Sequence, residues 1–341
     1  MKRIMALVMV VALAFALVAC GTSSPAAPTT AATQAQATTA EATTAAPSLQ
    51  VSDLKIGVVM KSFDEFQSAL IAGAVDTAVE MGVKKENVIT LAPKGESDVL
   101  GQVQMIENCI SQGVNILVLS AQNPDTVNAP LMAASAKGIK IVMADTDAPK
   151  FDDPNKVTYI GTDNYNAAYE GAKQFLSTYC KAGDNIVILR GKLGDTNHDA
   201  RTKGMEDAIK EAGMNVLEVQ DANADTDKAT SVMENMITKY GDKINALMVT
   251  TDSMAVGGVT ALKAANKIGQ VKVCGFDGFQ VSIKMIEEGS EQMIIAQKPY
   301  WMGQEAVKNG VAALLEGKTF DKYINPGIQI IDASNYKEFL K

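Results

Sequence analysis

The sequence predicts an α/β protein built from two doubly wound parallel-sheet lobes that are joined by a multi-strand hinge. From residue 55 onward, short apolar runs rich in Val and Ile alternate with amphipathic helical stretches. Continuous Val, Ile and Leu runs indicate strands buried on both faces, as in a parallel sheet covered by helices. Since about 290 residues exceed one comfortable hydrophobic core, we expect the alternation to be divided between two lobes.

The first half of this alternation contains five predicted strands. Each helix that follows is expected to end at a glycine, namely Gly82, Gly113 or Gly138, because glycine readily takes the left-handed conformation of a helix C-cap. The strands are Ile56–Met60, Asn87–Leu91, Asn115–Leu119, Ile139–Met143 and Val157–Ile160.

The second half repeats the pattern, with the strands Asn185–Leu189, Met214–Val219, Ala246–Thr250 and Val271–Gly275. We expect an N-terminal α/β lobe of residues 53–161 plus 298–324, and a C-terminal α/β lobe of residues 162–297 plus 325–341. Ligands of such folds bind outside the carboxyl ends of the strands, so two lobes that face each other predict a cleft.

The N-terminus predicts export. Lys2 and Arg3 precede an apolar run that is too short for a membrane span, and the run ends in Leu17-Val18-Ala19-Cys20-Gly21. An ordinary signal peptide would be cleaved after a small residue, but this ending favours a lipoprotein signal peptide of residues 1–20, with Cys20 lipidated. Residues 21–52, rich in Thr, Ala and Pro, are expected to be a disordered tether.

The composition excludes several classes of function. The chain has 31 basic and 39 acidic residues and a net charge of −8, which argues against nucleic-acid binding. Cys109, Cys180 and Cys274 are expected to be free thiols, and a single histidine leaves little for a zinc site. Because no dinucleotide, phosphate-loop or nucleophile-elbow motif occurs, we expect no cofactor, no metal and no enzymatic activity.

Polar residues gather just past the predicted strands, where a cleft would form. Carboxylates, amides and arginine form strong hydrogen bonds to hydroxyl groups, and an aromatic ring covers a C–H face, so this set suits a small polyol. Asp225 and Asp252, by contrast, are expected to be helix caps. The candidate ligand-binding residues are Lys61, Asp64, Glu65, Phe66, Ser120, Asp145, Asn197, Arg201, Thr251, Asp277 and Gln297.

These residues lie within a longer resemblance. Over residues 54–332, the chain resembles the type I periplasmic binding proteins of the ribose, galactose and arabinose group, which serve sugar ABC transporters. The segments that carry it are Ile56–Val59, Gly113–Ser120, Tyr159–Asn164, Asp199–Thr202, Thr251–Ala255, Gly275–Gly278 and Ala296–Tyr300.

The resemblance implies roles for individual residues. Arg201 and Asp277 would bridge ring hydroxyls, Phe66 would stack on the ring, and Gln297 would sit at a hinge crossing. Either Asp64 or Glu65 would face the ligand from the first loop.

The sequence also departs from the family pattern. Thr251 stands where family members usually have Asn, and Ala224 where many carry a stacking aromatic residue. Thr146 replaces the second cleft arginine of ribose binders. A second aromatic ring would then come from Trp301 or Phe276.

The functional expectation is an extracytoplasmic, lipid-anchored binding protein that captures a monosaccharide or similar polyol by hinge closure. Its partners would be the sugar and an ABC permease in the membrane, with no nucleic acid, and we expect a monomer. The alternative is a sensory binding protein for autoinducer-2 or a related signal, which Lys61, Asp145 and the run Gly101–Ile106 favour. A glycosidase with paired carboxylates fits the lobe pattern poorly.

Overall fold

The computed structural model describes residues 49–94 and 98–340, and within them the chain forms alternating strands and helices. The strands are β1 (Ile56–Val59), β2 (Val88–Leu91), β3 (Ile116–Leu119), β4 (Lys140–Ala144), β5 (Lys156–Ile160), β6 (Asn185–Arg190), β7 (Asn215–Asp221), β8 (Ala246–Val249), β9 (Lys272–Asp277), β10 (Met293–Ala296), β11 (Tyr323–Ile324) and β12 (Gln329–Asp332).

The helices cover the sheets. They are α1 (Glu65–Glu80), α2 (Val99–Ser111), α3 (Asn128–Ser135), α4 (Asn164–Tyr179), α5 (Thr196–Glu211), α6 (Thr226–Tyr240), α7 (Asp252–Ala264), α8 (Gln280–Glu287) and α9 (Pro299–Leu315).

The strands form two six-stranded sheets with matching topology. The first runs β2-β1-β3-β4-β5-β11 and is parallel throughout, while the second runs β7-β6-β8-β9-β10-β12 and is parallel except for β12. In each sheet, the second strand in chain order lies on one side of the first, and the later strands lie on its other side. This reversal of strand order places a topological switch point at the carboxyl ends of β1/β3 and of β6/β8. The prediction of two doubly wound lobes is confirmed.

The central strands are buried on both faces. All four residues of β1, β3, β8 and β10 are buried, so the helices on each side exclude water from them. Each sheet has a hydrophobic cluster on either face, and a smaller cluster lies under β12 and the C-terminal segment.

The chain passes between the lobes more than once. After β10 of the second sheet it enters α9, which packs against α1 and the first sheet. Gly73 of α1 and Gly303 of α9 allow this close approach, since a methyl group added to either would lie 2.0 Å from a carbonyl oxygen of the other helix. The chain then adds β11 to the first sheet and β12 to the second.

The structure corrects several details. The predicted tether reaches residue 52, but Val51–Asp53 forms a 3-10 turn and Val51 packs against the core of the first lobe. Several strand ends differ by one or two residues: the strand predicted at Met214–Val219, for instance, is Asn215–Asp221.

The signal peptide, Cys20 and the tether up to residue 48 lie outside the described residues. Cys109, Cys180 and Cys274 form no disulfide in the described part of the chain.

Candidate ligand-binding cleft

A cavity of about 480 Å³ lies between the two lobes, outside the carboxyl ends of both sheets. This is where doubly wound sheets bind ligands, and the volume falls within the range usual for small-molecule sites. The lining residues are Lys61, Ser62, Asp64, Phe66, Gln67, Asp145, Lys192, Asn197, His198, Arg201, Asn223, Ala224, Asp225, Thr251, Ser253, Asp277, Phe279 and Gln297.

Asp145 is the centre of the polar groups on the N-terminal lobe. It follows β4 with a positive φ of 63°, and its side chain is almost fully buried. Its Oδ2 accepts hydrogen bonds from Ser120 Oγ at 2.8 Å and from Gln67 Nε2 at 3.0 Å, and Lys61 Nζ lies 3.8 Å away. The carboxylate is therefore held from behind by neutral donors, with the Lys61 ammonium beside it.

Asp277 has the corresponding place on the C-terminal lobe. It ends β9, and its Oδ1 accepts hydrogen bonds from Arg201 Nη1 at 3.1 Å and from Gln297 Nε2 at 2.6 Å. Thr251 Oγ1 donates to Oδ2 at 2.5 Å. Burial raises the pKa of Asp277 to about 6, against the opposing charge of Arg201.

Several contacts hold Arg201 in place. Its Nε donates to Asn164 Oδ1 and its Nη1 donates to the Thr250 carbonyl, both at 2.8 Å. The guanidinium also lies 4.0 Å from the centre of the Phe276 ring, a cation–π contact. A rigid guanidinium beside a rigid carboxylate offers donors and an acceptor to a hydroxyl-bearing ligand.

Several polar contacts join the lobes across the cleft, including a hydrogen bond from Asn197 Nδ2 to Thr146 Oγ1 at 3.1 Å. Asn197 Nδ2 donates to Asp145 Oδ1 at 3.2 Å, Lys61 Nζ lies 3.4 Å from Asp195 Oδ2, and the Gln280 backbone N–H donates to Glu65 Oε1 at 2.8 Å. These contacts hold the two lobes together in a closed arrangement.

His198 was not among the predicted site residues, although it lines the cavity. It lies three residues before Arg201 on α5, and its Nδ1 is 2.8 Å from Thr250 Oγ1. Burial and the charge of Arg201 lower its pKa to about 4, although Asp195 opposes this shift. His198 is therefore neutral near pH 7.

The aromatic residues differ in part from the prediction. Phe66 lines the cavity as expected, but the second ring there is Phe279. Phe276 is fully buried beneath Arg201, and Trp301 lines a separate cavity of about 430 Å³. The two predicted sources of a second ring were therefore wrong.

The structure brings nine of the eleven predicted residues to the cavity wall. Ser120 lies behind Asp145, and Glu65 faces the neighbouring cavity. Of the two acids in the first loop, Asp64 faces the cleft, where it also caps α1 by accepting from Gln67 N at 2.8 Å. The nine are Lys61, Asp64, Phe66, Asp145, Asn197, Arg201, Thr251, Asp277 and Gln297.

The two predicted helix caps have different roles. Asp225 is the N-cap of α6, as predicted, and accepts from Lys228 N at 2.8 Å. Asp252 is not a cap, because Thr251 occupies that position and the Asp252 carboxylate is directed into the loop after β9. No group of three His, Cys, Asp or Glu side chains suited to a metal ion occurs in residues 49–94 and 98–340.

None of the helices in the described part of the chain combines the length and apolar character that a membrane span requires.

Comparison with known proteins places the chain in a family. Residues 56–319 match the periplasmic binding protein domain. The chain is 31% identical to the D-ribose/D-allose-binding protein of Pseudomonas aeruginosa, covering 78% of this chain and 83% of that protein. It is 30% identical to the ribose import binding protein RbsB of Haemophilus influenzae, covering 81% and 90%.

Solved structures agree with this fold. A solute-binding protein of an ABC transporter from Actinobacillus succinogenes, with bound D-allose, superposes with a TM-score of 0.77 at 25% identity, covering 84% of this chain and 99% of that one. A solute-binding protein from Burkholderia graminis, in complex with D-arabinose, gives a TM-score of 0.78 at 25% identity, covering 86% of this chain and 100% of that one.

The relatives are binding proteins, which confirms the expectation that the chain is not an enzyme. With its two doubly wound lobes and the cleft between them, this chain belongs to the periplasmic binding protein family.

Proposed function

We propose that this chain is an extracytoplasmic solute-binding lipoprotein of an ABC importer, which captures a monosaccharide or similar small polyol by hinge closure. The observation that carries the proposal is the pair of buried carboxylates, Asp145 and Asp277, which face one cavity from opposite lobes. Each is surrounded by hydrogen-bond donors, so a ligand with hydroxyl groups in two directions would bond both lobes and stabilise the closed form.

The aromatic rings support a sugar-like ligand. Phe66 and Phe279 both line the cavity and offer apolar contact to C–H groups. The names of the relatives, which bind ribose, allose and arabinose, point to the same ligand class. Captured sugar would pass to a membrane permease, with the binding protein acting as a monomer.

The ligand class is tested by a thermal-shift screen of the purified chain against pentoses, hexoses, deoxysugars, inositols and autoinducer-2. A ligand at 100 times its dissociation constant stabilises the fold by about 2.7 kcal/mol, which a melting curve resolves. Stabilisation by one sugar would support the importer. Failure of every sugar and polyol would refute the ligand class.

The sensory alternative is tested by the same screen. It rests on Lys61 and Asp145, whose Nζ and Oδ2 atoms lie 3.8 Å apart at the cavity wall. Stabilisation by autoinducer-2 alone would favour it over the importer.

Membrane anchoring is proposed from the Cys20 sequence motif and needs its own test. Cells are labelled with a fatty acid, and the native chain is compared with Cys20→Ser. We expect label in the native chain only. Equal labelling of both proteins, or of neither, would refute lipidation at Cys20.

A further inference from the structure

A buried carboxylate beneath the cleft holds the loop that follows β9. Asp252 has no solvent exposure, and its oxygens accept hydrogen bonds from the backbone N–H groups of Phe276 at 2.7 Å, Gly278 at 2.8 Å and Phe279 at 2.7 Å. Asp277 lies between these donors with a φ of 118°, which non-glycine residues rarely adopt. Such a conformation persists only where its surroundings fix it. Asp252 therefore fixes the backbone on both sides of Asp277.

A second buried carboxyl group, Glu291, lies beside Asp252. A methyl group added to Gly275 would lie 2.1 Å from Glu291 Oε1 and 2.4 Å from Asp252 Oδ1, so both side chains converge on this glycine. Within the described residues, neither Glu291 oxygen has a hydrogen-bond partner of ordinary geometry, and neither does Ser282 Oγ nearby. Two ionised carboxylates in such a place would repel each other without compensation.

Protonation of one of the two carboxyl groups would remove this repulsion, and the surroundings indicate which group is protonated. Burial and the charge of Asp252 raise the pKa of Glu291 well above its usual range, opposed only in part by Ser282 and the Gly275 N–H. Burial and Asp277 also raise the pKa of Asp252, but its three backbone hydrogen bonds favour the ionised form. Besides Asp277, the buried thiol of Cys274 also lies close to the pair, and burial together with the charges of Glu291 and Asp252 raises its pKa.

We propose that Asp252 and Glu291 are a pair of positioning residues for the cleft. Glu291 holds the proton and donates it to Asp252, and ionised Asp252 fixes the loop that presents Asp277 and Phe279 to the ligand. The inference rests on the proposed function only in assigning the ligand to this cleft.

Two isosteric variants separate the two roles. In Asp252→Asn, the amide cannot accept all three hydrogen bonds, so amide hydrogen exchange at Phe276, Gly278 and Phe279 should accelerate by at least about tenfold. Binding of D-ribose or D-allose, used as probes, should weaken by a similar factor. In Glu291→Gln, a neutral amide replaces a neutral acid, so exchange and affinity should stay within about twofold of the native values.

A spectroscopic measurement and a matched control complete the test. At pH 8, above the pKa of about 6 for Asp277, the infrared difference spectrum of native protein minus Glu291→Gln should contain the C=O band of a protonated carboxyl group. Asp98→Asn removes the carboxylate that caps α2, which accepts from Gly101 N at 3.0 Å, and should leave the exchange of the Phe276–Phe279 loop unchanged.

The outcomes are distinct. Absence of the acid band, or unchanged loop exchange in Asp252→Asn, would overturn the proposal, and the infrared result decides alone if Asp252→Asn does not fold. If neither sugar binds, exchange and infrared spectra still test the pair, so its failure is distinguishable from failure of the sugar assignment.

Discussion

His198 gives the cleft a pH-dependent contribution to stability whose sign follows from burial. Its imidazole lies against Gly191, where an added methyl group would be 2.3 Å from the ring carbon Cδ2, and the residue is 8% exposed, so burial penalises the charged form. The pKa of His198 is about 4 in the folded chain, against an ordinary value of 6.5. Between these values the unfolded chain binds a proton that the folded chain does not.

The magnitude and the sign follow by linkage. Because the unfolded state binds more protons in this window, the free energy of unfolding falls as the pH is lowered from 6.5 to 4. The loss between pH 7 and pH 4 is about 3 kcal/mol. His198→Gln keeps a polar side chain without the titration, so it should remove this loss.

Asp277 contributes with the opposite sign over nearly the same range. Its pKa of about 6 in the folded chain lies above its ordinary 3.8, so the folded state binds the extra proton. The free energy of unfolding should therefore rise by about 2 kcal/mol between pH 7 and pH 4. Asp277→Asn should remove that rise, whereas in the native chain the two effects largely cancel.

The assay is urea unfolding of the ligand-free protein at pH 7 and pH 4, analysed by linear extrapolation. Because other carboxylates titrate in this range, the compared quantity is the difference between native chain and variant at each pH. From pH 7 to pH 4, His198→Gln should gain relative to the native chain, and Asp277→Asn should lose. Differences that do not change with pH, or that change in the same direction, would refute the reasoning.

Three further changes test the cleft. Arg201→Ala leaves Asp277 buried without its cation, so we expect the free energy of unfolding to fall by about 3–5 kcal/mol. Sugar binding, measured by calorimetry, should be lost. Unchanged affinity in both Arg201→Ala and Asp277→Ala would contradict the site. Phe66→Ala should weaken sugar binding by about tenfold without altering the lobes, and equal affinity would exclude ring stacking. Glu65→Ala removes the acceptor of the Gln280 N–H, so the equilibrium between the closed and open forms of the ligand-free protein should shift toward the open form by about 1 kcal/mol. The radius of gyration in X-ray scattering should then increase. An unchanged radius would argue against this contact.

The fold was predictable because parallel strands between helices leave a strong pattern. Apolar runs buried on both faces, such as β1 and β3, differ clearly from amphipathic helices, and the topology follows from their alternation. Strand ends were less predictable, since polar residues at the carboxyl end of a strand, such as Asp221 of β7, continue the ladder without an apolar signal.

The cleft was predictable where its residues directly follow strands, as Asp145 and Thr251 do. Gln67 and His198 reach it from helices, and their positions depend on how those helices pack. Phe279, and not Phe276, lines the cavity, since Phe276 is fully buried next to Asp277 within β9, whereas Phe279 lies in the loop that follows the strand. Asp252 was misread because an aspartate at the start of a helix has the same local pattern whether it caps the helix or binds a distant loop.

The return of the chain to the first lobe affects the order in which the molecule can fold. Synthesis proceeds from the N-terminus, so α1 and β1–β5 emerge long before α9 and β11, which cover and extend their sheet. Until then, the apolar surface that α9 will bury stays uncovered, and contacts of large sequence separation form slowly. A chain cut before Pro299 would lack α9 and β11 of the first lobe and β12 of the second, so removal of this segment should destabilise both lobes and not only one end of the molecule.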